Sequence, residues 1–125
     1  MLSVYLIQLN VVGLQKGIDW YTKVLGFTVS HENNFLHHGT TVQLNHDQGF
    51  RLILHDAKNT AKIHYPDDVQ TMVVWKTEDL EKSISELKLK GVDFIFTEPN
   101  RINVGKFVAF RDPFGNVHEL IELKR

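Results

Sequence analysis

An acidic residue, Glu119, lies between the apolar residues Val117 and Ile121. If residues 117–123 form a strand, these three side chains share one face, because successive side chains of a strand alternate between faces. An unpaired carboxylate on an apolar face is costly, and proteins compensate it with a metal ion, a hydrogen bond or a raised pKa. Glu119 is therefore the first candidate for ligand binding or catalysis, and a hydrogen-bonded structural carboxylate is the alternative.

The residues before Glu119 predict the hairpin that positions it. Asp112, Pro113, Gly115 and Asn116 are typical of a tight turn, which would join residues 107–110 to the strand at 117–123. Hydrophobic periodicity predicts the remaining elements. The predicted strands are 3–12, 27–30, 40–44, 50–55, 69–76 and 92–97, and residues 35–38 are a short strand or a loop edge. The predicted helices are 14–24 and a segment from 80 to near 91, and 98–105 is a predicted loop.

The two halves of the sequence share one order of elements. Gly39 and Gly105, and likewise Gly49 and Gly115, are 66 positions apart and would bracket a hairpin in each half. The sequence therefore predicts a single domain of class α+β with a duplicated unit. Its first module is residues 1–56, its connector 57–67 and its second module 68–125. Two similar halves without true symmetry are the alternative.

Two motifs resemble those of the glyoxalase/bleomycin-resistance/dioxygenase group, the vicinal oxygen chelate superfamily. Residues 20–27, WYTKVLGF, resemble the family's "FYxxvLGF" helix end, and residues 110–123 resemble its "FxDPxGNxxEL" signature. The resemblance implies two βαβββ modules whose curved, incompletely closed mixed sheets surround a cleft. It also implies a homodimer, which agrees with the apolar edges expected of two small sheets.

The resemblance further implies where a metal would bind. Metal-dependent members place His, Gln or Glu on the first and last strands of each module. The last of these positions is Glu119, its counterpart 66 residues earlier is Ile53, and the first-strand positions fall on Leu6 and Met72. Since a divalent site normally needs three or more oxygen or nitrogen donors, we expect no cofactor. A displaced divalent-metal site formed by His55 and Glu119 is the alternative.

Arg51 shares the predicted strand face of Ile53 and His55, where it could neutralise Glu119 or an anionic ligand. The predicted ligand-binding cleft is therefore formed by six residues: Leu6, Arg51, Ile53, His55, Met72 and Glu119.

Composition narrows the class of partner. The chain has 125 residues, a formal net charge of -1 and no cysteine. It contains no run of like charges, so we expect a small-molecule ligand and neither nucleic acid nor membrane as a partner. The lack of cysteine and of a recognisable signal segment favours a cytoplasmic protein.

Two functions remain open. The first is a metal-free protein that binds a small, partly aromatic molecule, as bleomycin-resistance proteins do in the resembled family, with resistance or detoxification as its expected role. The second is a metal-dependent lyase, isomerase or dioxygenase of the same superfamily, glyoxalase I-like, with Glu119 as its candidate catalytic residue and a non-standard metal site. The sequence does not decide whether the protein is an enzyme.

Overall fold

The structure is a computed structural model and describes residues 1–30 and 40–125. Its elements follow the predicted order, in which a strand, a helix and three strands occur in the first half of the chain and again in the second. They are β1 (Ile7–Val11), α1 (Leu14–Leu25), β2 (Thr28–Val29), β3 (Thr41–Asn45), β4 (Arg51–Asp56), β5 (Val73–Lys76), α2 (Leu80–Leu89), β6 (Asp93–Ile102), β7 (Gly105–Arg111) and β8 (Val117–Leu123).

The strands form two four-stranded mixed sheets, one in each of two compact units. The first unit, Met1–Thr60, has the strand order β1-β4-β3-β2, and the second, Ala61–Arg125, has the order β5-β8-β7-β6. In each unit the last strand lies beside the first and runs parallel to it, while the other pairings are antiparallel. The predicted architecture of two βαβββ modules is confirmed.

The duplication extends to the strand register. Val42 pairs with Leu54 in the first unit, and Val108 pairs with Leu120 in the second, so both partners shift by 66 positions. The turns repeat as well. The His46 amide donates to the carbonyl of Phe50, and the Asp112 amide donates to the carbonyl of Asn116 at the equivalent place. Gly49 and Gly115 both adopt a positive φ, near 86° and 89°, which a glycine adopts without strain.

The end of α1 and the start of α2 follow capping residues in the sequence. The α1 helix ends at Gly26 in the left-handed conformation, and α2 begins after Asp79, whose carboxylate accepts a hydrogen bond from the Lys82 amide at 3.1 Å. The α1 helix lies close to its sheet at Gly17, where an added Cβ would come within 3.0 Å of Val11 and 3.2 Å of Leu54. Neither α1 nor α2 is long and apolar enough to cross a membrane.

The core of each unit lies between its helix and its sheet. Fully buried side chains come from both layers, and each contributes about 1.5–3 kcal/mol when it is apolar and of this size. In the first unit they are Val11, Tyr21, Leu44, Leu52 and Leu54; in the second they are Leu80, Val108, Phe110 and His118.

Some predicted boundaries were wrong. The first strand begins at Ile7 and the fifth at Val73, later than predicted, and the predicted loop at 98–105 is largely strand. Pro99 lies within β6, which is possible because β6 is an edge strand and its pairing with β7 shifts register between Phe96 and Asn100. The predicted strand at 35–38 and Gly39 lie outside the described residues.

Gly105 is expected to tolerate no side chain. A Cβ at this position would overlap the backbone carbonyl oxygen of Glu122 and lie 3.0 Å from the Cα of Leu123, because β7 and β8 pair there. We expect Gly105→Ala to lower the free energy of unfolding by about 2 kcal/mol, measured by urea denaturation. Gly91→Ala is the control, since only its positive φ opposes a side chain, at about 1 kcal/mol. A variant as stable as the wild type would contradict the prediction.

Candidate functional site

Glu119 lies in β8, a central strand of the second sheet, on the face opposite to α2. Its neighbours in register are Val74 on β5 and Ala109 on β7. The α2 helix covers the other face, because the amide of Leu80 at its start donates a hydrogen bond to the Glu122 carboxylate at 2.9 Å. Since side chains alternate, Glu119 points away from α2 among mostly apolar neighbours, as the sequence predicted.

The partner of Glu119 is a tyrosine from the connector. The Tyr65 hydroxyl donates a hydrogen bond of 2.5 Å to Oε2 of Glu119. Burial raises the pKa of the Tyr65 phenol well above its usual range, and the hydrogen bond to the Glu119 carboxylate raises it further. The phenol therefore keeps its proton at neutral pH and serves as a permanent donor to the carboxylate. This arrangement is the hydrogen-bonded carboxylate that the sequence left open as an alternative.

Two phenylalanine rings continue from Tyr65 along the second sheet. The Tyr65 ring lies 5.8 Å from that of Phe96, and Phe96 lies 6.0 Å from Phe107, as measured between ring centroids. A further contact fixes the connector, since the Arg111 guanidinium donates to the carbonyl of Ile63 at 2.9 Å. We call Tyr65, Phe96, Phe107 and Glu119 the aromatic-acid cluster. All four side chains are half-buried, so a small molecule could reach them.

The donor set around Glu119 does not fit the metal site of the resembled family. Its register neighbours Val74 and Ala109 offer no ligand atom, and its hydrogen-bond partner is a protonated phenol. One group of three acidic side chains in the described part of the chain is close enough to share an ion. It consists of Asp79, Glu81 and Glu122, and Glu119 does not belong to it. Within that group the Lys106 ammonium already contacts Glu81 at 2.8 Å.

The other predicted cleft residues lie on or next to strands. Ile53 and His55 lie on β4 with their side chains on the face opposite to α1, and Ile53 is 8% exposed. Leu6 and Met72 each precede the first residue of a strand by one position. Arg51 shares the face of Ile53, where its guanidinium contacts the Tyr5 carbonyl at 3.4 Å and lies 5.2 Å from the centre of the Tyr5 ring.

The predicted cleft residues are divided between the two units. Arg51, Ile53 and His55 share one face in the first unit, whereas Met72 and Glu119 belong to the second unit. Tyr65 was missed because the connector shows no hydrophobic periodicity. Two features of the sequence could have indicated Tyr65. It is the single aromatic residue of the predicted connector, and Pro66 follows it directly.

A protein-family model matches most of the chain. Residues 4–120 match the model described as Glyoxalase/Bleomycin resistance protein/Dioxygenase superfamily. The chain belongs to this superfamily. A relative in Bacillus subtilis (strain 168), the uncharacterized protein YetH, is 36% identical over 56 residues, which is 45% of this chain and 46% of YetH. The chain thus matches about half of the length of that relative.

Solved structures agree with superfamily membership at the level of the fold. The fosfomycin resistance protein FosX from Listeria monocytogenes is 12% identical, with a TM-score of 0.77 over 99% of this chain and 95% of FosX. TnmS3, an antibiotic binding protein from Streptomyces sp. CB03234, is 21% identical, with a TM-score of 0.67 over 99% of each chain. In this member of the superfamily, the carboxylate of Glu119 in the signature motif accepts a hydrogen bond from Tyr65.

Proposed function

We propose that this protein binds a small aromatic molecule without a metal ion, and that the aromatic-acid cluster contacts the ligand. The observation that carries the proposal is the hydrogen bond from Tyr65 to Glu119, because it gives the signature carboxylate a protein partner where a metal site would need further ligands. The apolar neighbours Val74 and Ala109 support the same conclusion.

The chemistry of the cluster favours an aromatic cation. Phe96 and Phe107 present ring surfaces, and Oε1 of Glu119 has no hydrogen bond from any residue that the structure describes. A carboxylate next to aromatic rings attracts cationic groups through both charge and the ring quadrupole. TnmS3, which shares the fold, is described as an antibiotic binding protein, and a small-molecule ligand here is consistent with that likeness.

The competing function is a metal-dependent lyase, isomerase or dioxygenase. A mutant of FosX from Listeria monocytogenes, described in a complex with Mn(II), shows that this fold can hold a metal. The present chain would need ligands beyond Glu119, and Tyr65 occupies one of its oxygens. Elemental analysis of the purified protein tests this directly. A tightly bound transition metal present at one per chain, and lost in Glu119→Gln, would contradict the metal-free proposal and favour the competing function.

Ligand charge should control affinity. We expect 2-naphthylmethylammonium to bind more tightly than 2-naphthoate, which has the same ring system and the opposite charge, in NMR titrations that follow the Phe96 resonances. Glu119→Gln should lower the affinity for the cation by about tenfold, the size of one charge-assisted contact. Tyr65→Phe keeps the ring and the carboxylate, so it should bind the cation at least as well as the wild type.

These variants separate binding from structure. Because Tyr65→Phe removes a hydrogen bond to a charged group, it should lower the free energy of unfolding by about 1–2 kcal/mol. If Glu119 serves only as a structural acceptor, both variants will lose stability while the preference for the cation stays unchanged. That outcome would contradict the proposed site.

We also infer a homodimer. The strands β1 and β5 each lie at an edge of their sheet, and Val74 on β5 is 49% exposed. In many proteins a second copy of the chain covers a sheet edge. Light scattering at micromolar concentration should report twice the chain mass of 14.5 kDa. A mass of one chain under these conditions would contradict the inference.

A further inference from the structure

A cavity lies where β6 turns into β7, at one end of the second sheet, and the proposed function does not use it. We call it the hairpin cavity. Its volume is about 250 Å³, below the range of about 300–1,000 Å³ that drug-sized ligands occupy, so it fits a smaller molecule. It is formed within the second unit, and six of its lining residues carry a side chain: Arg101, Ile102, Lys106, Glu122, Leu123 and Lys124.

Two of the charged residues in this lining already have partners. The Lys106 ammonium contacts a carboxylate oxygen of Glu81 at 2.8 Å and Oε2 of Glu122 at 3.8 Å. Oε1 of Glu122 accepts the hydrogen bond from the Leu80 amide at 2.9 Å, on the α2 side of the sheet. The charge of Glu122 is therefore compensated by its neighbours. Its side chain also lies on the face opposite to that of Glu119, because side chains alternate along β8.

Arg101 and Lys124 supply the positive charge that has no partner. Both residues are exposed, and neither forms an ion pair with any residue in the ranges 1–30 and 40–125 that the structure describes. Arg101 also lies directly opposite Lys106 in the pairing of β6 with β7. Like charges in this arrangement repel each other, so the cavity would attract an anion.

Aliphatic side chains adjoin this charge. Ile102 and Leu123 line the cavity and are 42% and 44% exposed, and Val104 in the turn beside them is 57% exposed. Exposed apolar side chains that adjoin one another often mark a binding surface, whereas single ones are ordinary. The lining residues include no aromatic ring on which a ligand ring could stack, so an aliphatic chain is the better match.

The backbone holds the two apolar side chains and the two cations in place. Gly105 pairs with Leu123, and the Lys124 amide donates a hydrogen bond of 2.8 Å to the carbonyl of Val104, so the turn is fixed to the end of β8. A site whose backbone is already ordered loses less conformational entropy when it binds a ligand.

We propose that the hairpin cavity binds a small aliphatic carboxylate. Arg101 and Lys124 contact its carboxylate, for which a guanidinium offers two parallel N–H donors, and Ile102 and Leu123 contact its chain. This site lies outside the aromatic-acid cluster and takes an anion, whereas the cluster takes a cation. Either proposal can therefore fail while the other holds.

NMR titrations with three probes, followed at the methyl groups of Ile102 and Leu123, test the proposal. Hexanoate and hexylammonium have chains of similar length and opposite charges, and acetate has the charge of hexanoate without its chain. We expect hexanoate to bind about tenfold more tightly than either of the others. Tenfold is the size of one charge-assisted contact, and also of about two buried methylene groups.

Charge variants assign the contact. Arg101→Gln and Lys124→Gln should each weaken hexanoate binding about threefold, because exposed charges contribute little singly, and the double variant should lose the preference for hexanoate over hexylammonium. The control is Lys76→Gln combined with Lys88→Gln, which removes two exposed cations of the same unit outside the cavity and should keep the preference.

Three outcomes would overturn the proposal. Equal losses in the two double variants would show that hexanoate responds to net charge alone. Equal affinities for hexanoate and acetate would identify an adventitious ion only. Equal affinities for hexanoate and hexylammonium would show that the cations make no contact. The last two comparisons use the wild-type protein, so they remain decisive even if a variant is unstable.

Discussion

Asp112→Ala is expected to lower the free energy of unfolding by about 4 kcal/mol, measured by urea denaturation. The Asp112 side chain is 3% exposed, and its carboxylate accepts hydrogen bonds from the amides of Phe114 and Asn116 at 2.9 and 2.8 Å. A third comes from the side chain of Asn116 at 2.7 Å. Each such bond to a charged acceptor contributes about 1.5 kcal/mol, and alanine would leave three partly buried donors without this partner.

Two variants calibrate this expectation. Asp112→Asn keeps one carbonyl oxygen for the two backbone amides but places an amide nitrogen against the Asn116 side chain, so we expect about half the loss. Asp47 lies at the equivalent turn of the first unit with 83% of its side chain exposed, and Asp47→Ala should change stability by less than about 0.5 kcal/mol. Equal effects of Asp112→Ala and Asp47→Ala would contradict the role assigned to the buried carboxylate.

Stability should fall as the pH is lowered from about 6.5 to about 4, and His118 should account for roughly 3 kcal/mol of the loss. His118 is fully buried on the α2-facing side of the second sheet. Its ring stacks on Phe110 with centroids 5.1 Å apart, and its Nδ1 accepts a hydrogen bond from the indole of Trp75 at 3.1 Å. Burial lowers the pKa of His118 from 6.5 to about 4.

The sign follows from proton binding. Below about pH 6.5 the unfolded chain protonates His118, whereas the folded protein holds it neutral until about pH 4, so acid favours the unfolded state across this range. His118→Asn keeps an acceptor for Trp75 and removes the titrating group. Urea denaturation at a series of pH values should therefore show a weaker pH dependence for the variant. Parallel profiles would show that His118 does not titrate in this way.

Local signals explain why much of the fold could be predicted. The hairpin around Gly115 was predicted with its last strand at residues 117–123, as the structure has it, because turn residues and strand alternation act over short distances. The starts of both helices, Leu14 and Leu80, were also predicted. The spacing of 66 residues then supplied long-range information, since equivalent halves imply equivalent pairings.

Other features depended on contacts that no local pattern encodes. Tyr65 reaches Glu119 across 54 positions from a connector without periodicity, so the sequence indicated a partner for the carboxylate without identifying it. Strand alternation placed Arg51, Ile53 and His55 on one face, but the burial of Gln43 on that face depends on tertiary packing. Pro99 led to the prediction of a loop, because proline is uncommon within strands. The structure accommodates it in β6 because β6 lies at the edge of the sheet, which the sequence does not reveal.

The position of β4 and β8 has a consequence for folding during synthesis. Each is the last strand of its unit along the chain, yet each lies between the first strand and the strand before it. The sheet of the first unit can therefore close once Asp56 has left the ribosome, while the second unit is still being made. In the second unit, β5 stays without its neighbour until residues 117–123 have been translated, so its edge is exposed to non-native pairing for the longest time.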